Sequence, residues 1–191
     1  GLLDTYEASQ NPEWLREAIR LTAIMNEQFW DEEHGGYFYT GKDQQYLIAR
    51  SKNPLDNAIP SGNSISVLAL FRLSEMTSDQ QYSQKAESTL KTFADNIKQI
   101  PVGFSQMLCG FDFLISSPVE IVLAGNKPGS LKEFQRTIYE NFLPNKVVLY
   151  ANQDNFDELR QISPLIEGKV PQNGEATAYV CQNFTCKQPV S

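Results

Sequence analysis

Apolar positions recur along this chain in two alternating helical patterns. From the Asn11-Pro12 step, Leu15, Ile19, Thr22, Met25 and Phe29 fall on one helical face, with Glu13, Arg16, Glu17, Arg20 and Glu27 largely opposite. That is the pattern of a helix with one buried side. Asn11 predicts an N-cap and Pro12 the first helical position, where a missing N–H costs nothing. The helix beginning near Ser61 differs: Ile65, Val67, Leu68, Leu70, Phe71 and Leu73 are apolar round most of its circumference, which predicts protein on every side. After Ser78, expected as a cap, Tyr82, Ala86, Leu90, Phe93 and Ile97 return to a single stripe, and residues 102–115 are again apolar nearly all round. This alternation of outer and inner helices predicts stacked helical hairpins closing into a double ring, because a simple four-helix bundle would carry one stripe on every helix.

Two shorter features accompany the helices. Leu2, Leu3 and Tyr6 have helical spacing with no capping residue ahead of them, which predicts that the chain begins inside a helix of something longer. The aromatic and branched runs at 35–40 and 45–50, separated by Gly41-Lys42-Asp43-Gln44, predict a β-hairpin.

At Ser116-Ser117-Pro118 the pattern changes. Residues 119–125 form a continuous apolar run that suits a strand covered on both faces. Leu131, Phe134, Ile138 and Phe142 then mark a helix, and residues 146–151 a second buried strand. A β-α-β order predicts parallel strands with a right-handed crossover. A short helix near 157–162 and a third strand at 176–182 would complete a small three-stranded parallel α/β element. The expected fold is therefore mainly α, with helical hairpins over residues 1–117 and the α/β element over 118–191.

Charge and cysteine content narrow the function. A net charge of −7 would repel nucleic-acid backbones and anionic membrane surfaces, so neither is an expected partner. No apolar run reaches the roughly 18 residues of a membrane span and no signal-peptide pattern opens the chain, so a cytoplasmic location is expected. Cys109, Cys181 and Cys186 are an odd set without dense spacing, unlike a secreted disulfide framework. Buried, unreactive thiols are expected at Cys181 and Cys186, with a disulfide or redox pair as the alternative. A zinc site would need ligands that Cys-x4-Cys does not supply, and no metal or cofactor is expected. Asn183-Phe184-Thr185 matches a glycosylation acceptor, which has meaning only on a secreted chain.

The motifs FWDEEHGGYFYT, DNAIPSGNSISVLALFRL and ATAYVCQNFTCKQPV together resemble the C-terminal part of the DUF255, or spermatogenesis-associated protein 20, family. That resemblance covers essentially the whole chain. It implies a thioredoxin-like domain ahead of an (α/α)6 six-hairpin toroid similar to that of N-acylglucosamine 2-epimerases, of which this chain would hold about half. The implied partner is the missing N-terminal part, namely the thioredoxin-like domain and the rest of the ring. An open half-ring would also expose inner-helix surface, so self-association is expected. The related epimerases use two histidines as acid and base, whereas this chain has His34 alone.

Candidate chemistry centres on the turn before the apolar helix. In a toroid such a turn would face the central funnel. Asp56 is the candidate catalytic group, with Asn57, Ser61, Gly62 and Asn63 as substrate-binding neighbours for a carbohydrate. The same residues also read as an ordinary capped helix start, with Ser61 or Asn63 as the cap and Pro60 setting the turn. Trp30 could stack on a sugar beside Asp31, Glu32 and Glu33, although that acidic run with His34 equally reads as a solvated turn. Arg50 would bind an anionic group of a ligand or hold a structural ion pair. The GNKPGS loop at 125–130 invites comparison with a phosphate-binding loop but lacks its spacing, and is expected to be a connection.

Two functions from different classes follow. In the first, the parent protein binds or processes a carbohydrate, as an epimerase-like or glycosidase-like enzyme that this chain alone would not complete. In the second, the chain is a non-catalytic docking or scaffold module for a thioredoxin-like redox or chaperone function.

Overall fold

A computed structural model describes residues 1–44, 49–127, 129–183 and 185–191. Two compact units divide the chain. One takes Ala18–Ser74 and Asp79–Ile115, and the other takes Gly1–Glu17, Glu75–Ser78 and Ser116–Ser191. Most of the regular structure is α-helical, with a small sheet in the second unit. Among the described residues no helix is long and apolar enough to cross a membrane.

Several of the helices begin where the sequence supplies a capping side chain. Past the end of α1 (Leu2–Ser9), Asn11 caps α2 (Pro12–Phe29), its Oδ1 accepting from the N–H of Glu13 at 3.0 Å. In the helical unit, α3 (Gly62–Thr77) is covered almost all round, and only Gly62 and Ile65 along it are exposed. Its Val67, Leu70, Phe71 and Leu73 are buried, as the unbroken apolar circumference predicts. Next, α4 (Gln80–Thr92) is capped one residue later than expected, by Asp79, whose carboxylate accepts from Gln81 N–H at 2.9 Å. Ser78 instead takes a left-handed backbone at φ 59°. After α5 (Ala94–Gln99) and a 3₁₀ turn at Pro101–Phe104 comes α6 (Ser105–Ile115).

The last helix corrects an expectation. Rather than being covered on all sides, α6 buries one face through Met107, Gly110 and Phe113 and leaves Phe111, Leu114 and Ile115 exposed. Gly110 lets α6 approach α3 closely: a Cβ there would lie 2.6 Å from Val67 Cγ1 and 3.2 Å from the backbone nitrogen of Leu68. The apolar residues of its other face have no such cover. The expected hairpin is also altered. Residues 35–40 form no strand beyond a single bridge between Trp30 and Tyr37, and residues 45–48 of its second arm lie outside the described residues.

In the sheet unit, β1 (Val119–Gly125) and β2 (Lys146–Asn152) run parallel, joined by α7 (Lys132–Glu140). Their central residues are buried, as continuous apolar runs require. α7 stops at Glu140 and Asn141 is extended, so Phe142 leaves the predicted stripe and is 92% exposed. The third strand corrects the expected topology. β3 (Thr177–Gln182) lies antiparallel to β1, and β4 (Thr185–Cys186) adds a fourth strand in the order β2-β1-β3-β4. Thr177 pairs with Ala124, while Gly125 pairs with Asn152. The chain therefore re-enters the sheet at the end where β2 finished. The segment through α8 (Phe156–Ile162) and the 3₁₀ turn at Pro164–Ile166 stays at that end instead of crossing back, so a parallel strand is ruled out.

Helix α1 covers the β2 edge of this sheet. Tyr6 Oη accepts from the N–H of Tyr150 at 3.2 Å and Glu7 Oε1 from that of Val148 at 3.4 Å, so side chains satisfy edge groups that a neighbouring strand would otherwise bind. At the other edge Cys181 and Cys186 stand directly opposite in the β3–β4 ladder and form a disulfide, in place of the expected free thiols.

Candidate functional site

The polar turn ahead of α3 is a closed hydrogen-bond network. Asp56 sits 2.9 Å from the N–H of Ser61 through Oδ1 and 2.8 Å from that of Gln106 through Oδ2, accepting from both. Its own N–H donates to Gly103 at 2.8 Å. Ser61 is the N-cap: its Oγ accepts from Ser64 N–H at 3.0 Å and donates to the Pro54 carbonyl at 3.1 Å. Asn63, buried within the first turn, holds the backbone of Tyr37 from both sides and also donates through Nδ2 to the Asn53 carbonyl at 3.4 Å. Its Oδ1 accepts from Tyr37 N–H at 2.7 Å and its Nδ2 donates to the Tyr37 carbonyl at 2.9 Å. Asn63 therefore bonds as a neighbouring strand would. Asn57 and Gly62 are exposed, and a Cβ at Gly62 would meet nothing within 4 Å, so local packing does not demand glycine there.

Trp30 and Arg50 join the same framework. Trp30 is 7% exposed, packs edge-on against the Tyr37 ring at 5.1 Å and carries the Lys85 ammonium 4.1 Å from its own ring centroid. Arg50 donates to the carbonyls of Thr40 and Gln28 and stacks 4.2 Å from the Phe38 ring. Beside them Asp31, read from sequence as part of a solvated turn, is buried. One oxygen accepts from the N–H groups of Glu33 and His34, and the other meets Lys52 Nζ at 2.6 Å. The Lys52 hydrogen bond, opposed by desolvation and aided by those backbone donors, holds the Asp31 carboxyl down at about 2. Glu32 and Glu33 remain exposed.

Three further places can take a ligand, a partner or chemistry. The helical unit carries a groove of about 330 Å³ with Leu90, Ala94, Ile97, Leu108, Phe111 and Leu114 in its lining, and with Lys91 and Lys98 among the charged residues there. The sheet unit has a cleft of about 260 Å³ at the C-terminal ends of β1 and β2, with Asn126, Lys127, Asn152 and Asp154 in its lining. Open α/β sheets bind ligands at that end. The GNKPGS segment contributes to this cleft, and its Pro128 lies outside the described residues.

The third place was missed by sequence reasoning. Glu75, in the last turn of α3, shares a hydrogen bond with Glu120 of β1. Desolvation, and then the charge and hydrogen bond of Glu120, push the Glu75 carboxyl up to about 7; desolvation also raises Glu120. Lys169 lies within the field of Glu120, and its Nζ donates to Cys181 Sγ at 3.4 Å. Burial lowers the Lys169 amine, while Glu120 counters that by favouring the charged form. The available signal was a charged residue inside each of two apolar runs, Glu75 after Leu73-Ser74 and Glu120 after Val119.

No family model matches the chain. Human spermatogenesis-associated protein 20 is 32% identical over 193 residues, covering all of this chain and 25% of that protein. The Rattus norvegicus protein of the same name is 32% identical over 196 residues, and uncharacterized protein B0495.5 of Caenorhabditis elegans is 25% identical over 195. The chain thus spans about a quarter of the length of the curated relatives it matches. Proteins named spermatogenesis-associated protein 20 resemble it from end to end, in line with the motif resemblance noted above.

Proposed function

We propose that this chain is a docking module of a larger protein related to spermatogenesis-associated protein 20, whose helical unit builds part of an (α/α)6 toroid. The occupant of its apolar groove is an amphipathic helix from the remaining three-quarters of such a protein. The observation that carries this reading is the uncovered apolar side of α6, where Phe111 and Leu114 line the groove. Apolar surface of this kind is stabilised when a partner removes it from water. The charges at the groove are balanced, Lys91 pairing with Glu87 at 3.2 Å and Lys98 with Asp95 at 3.3 Å, so the apolar lining rather than charge selects the partner. A thioredoxin-like domain in that remainder is part of the same proposal.

The carbohydrate reading, with Asp56 as the catalytic group and Asn57, Ser61, Gly62, Asn63, Trp30 and Arg50 around a sugar, draws less support. The side chains of Asp56, Ser61, Asn63 and Arg50 already hold backbone groups, and Trp30 is packed between Tyr37 and Lys85.

The test is to express the chain and the remainder of its parent protein as separate polypeptides and follow their association by size exclusion with light scattering. Wild type should co-elute with the remainder, and Phe111→Asp with Leu114→Asp should weaken association more than about tenfold, because two anchors leave a desolvated groove. Circular dichroism checks that the variant is folded. Undiminished association of a folded double variant would remove the groove from the interface.

A further inference from the structure

The Cys181–Cys186 pair is asymmetric. Cys181 is 2% exposed on β3, whereas Cys186 is exposed on the edge strand β4. Lys169 Nζ lies 3.4 Å from the buried sulfur. Exchange at a disulfide depends on which sulfur an incoming thiolate can reach and on how well the other leaves as a thiolate. Here access and leaving-group stabilisation fall on different sulfurs, as productive exchange needs.

The bond is also a weak candidate for a structural staple. Its cysteines are five residues apart, and a cross-link stabilises less the shorter the loop it closes. The edge has other bonds that do not depend on it. The N–H of Lys187 donates to the Val180 carbonyl at 2.9 Å, and Ala178 and Val190 exchange two backbone hydrogen bonds at 2.7 and 3.1 Å. Breaking the S–S bond leaves this edge paired.

We propose that Cys181–Cys186 is a thiol–disulfide exchange centre in which a dithiol attacks the exposed Cys186 sulfur and Cys181 leaves as a thiolate held by the Lys169 ammonium. One thiolate of the dithiol forms a mixed disulfide with Cys186 as the Cys181–Cys186 bond breaks, its electron pair passing to Cys181 Sγ. The second thiolate of the dithiol then attacks the sulfur of the first. That closes the dithiol's own disulfide and releases Cys186, which takes a proton from water. Two electrons pass from the dithiol to the cysteine pair, and the reverse sequence passes them from the reduced pair to a substrate disulfide, reducing it and reforming the Cys181–Cys186 bond. Glu120 is a positioning residue: its negative charge keeps Lys169 protonated against the desolvation that would neutralise it. Its hydrogen-bonded neighbour Glu75 supplies the proton that lets two carboxyls sit side by side. This inference does not depend on the docking reading, since it concerns the sheet unit alone.

The intact protein, first oxidised with glutathione disulfide, is exposed to reduced glutathione, quenched with an alkylating agent and mapped by peptide mass spectrometry. The glutathione adduct is expected on Cys186 with Cys181 alkylated. Reduction by dithiothreitol is then timed in wild type, Lys169→Met and Lys169→Arg. Loss of the ammonium should slow reduction by roughly tenfold, and arginine should restore most of the rate. An adduct on Cys181, a pair that stays as two free thiols after the oxidation step, or an unchanged rate in a folded Lys169→Met protein overturns the proposal. The mapping uses wild type, so it decides even where a variant does not fold.

Discussion

Asn63 is a buried amide whose carbonyl and amino groups both face one backbone residue, Tyr37, which is itself 5% exposed. Removing the amide would leave the Tyr37 N–H and carbonyl without these partners, and an orphaned buried polar group costs about 1–3 kcal/mol. We expect Asn63→Ala to lower stability by about 2 kcal/mol in urea unfolding, with Asn57→Ala, at an exposed position, within about 0.5 kcal/mol of wild type. A folded Asn63→Ala protein as stable as wild type would return that side chain to the list of ligand contacts. The sequence shows that this turn is unusually polar, but a capping carboxylate and a substrate-binding one are the same residue on paper. What separates them is the partner. Tyr37 is 26 residues from Asn63 and Gln106 is 50 from Asp56, and no local pattern encodes either contact.

Among the elements, helix periodicity carried the most information. The one-sided stripe of α2, the full circumference of α3 and the continuous runs of β1 and β2 all follow from spacing that a reader can count. Strand direction did not, because alternation is the same read either way; the antiparallel course of β3 is set by where the α8 segment delivers the chain. The disulfide was legible in principle. In a hairpin with a two-residue turn, residues five apart oppose each other, and Asn183 takes the left-handed backbone such a turn needs, at φ 51°. The all-round apolar reading of α6 failed for a different reason: composition reports what a helix would prefer to bury, and burial also needs a neighbour. Where α6 does have one, the fit is close. Gly110→Ala should cost about 1–3 kcal/mol in thermal or denaturant unfolding, because the new methyl meets Val67 Cγ1 at 2.6 Å and the backbone of α3 just beyond it. Stability equal to wild type would mean that α6 can shift away from α3 freely.

For the molecule as a whole, two carboxyl groups in separate units act on stability in opposite directions as pH changes. Asp31, in the helical unit, titrates at about 2 when folded, below the usual 3.8. The stability it contributes is complete above the unfolded value and is lost as pH falls from about 4 towards 2. Glu75, in the sheet unit, titrates at about 7 against a usual 4.5. Between those values the native chain holds a proton that the unfolded chain has released, so stability declines as pH rises through the window. Each pH unit of one unmatched proton amounts to about 1.4 kcal/mol before solvent screening reduces it. The two effects predict a stability maximum in the weakly acidic range near pH 4 to 5, below the more usual near-neutral optimum. Relief of net repulsion near the isoelectric point of about 4.8 would push the same way, so the profile of wild type does not by itself identify the groups. Glu75→Gln separates them. It removes one titrating proton while changing the net charge of −7 by a single unit, and should flatten the decline from pH 5 to 7, whereas Asp31→Asn should flatten only the acid limb. Urea unfolding at half-unit pH steps reads both. A decline that persists undiminished in Glu75→Gln assigns it to overall charge and leaves the Glu75–Glu120 pair without a share in stability.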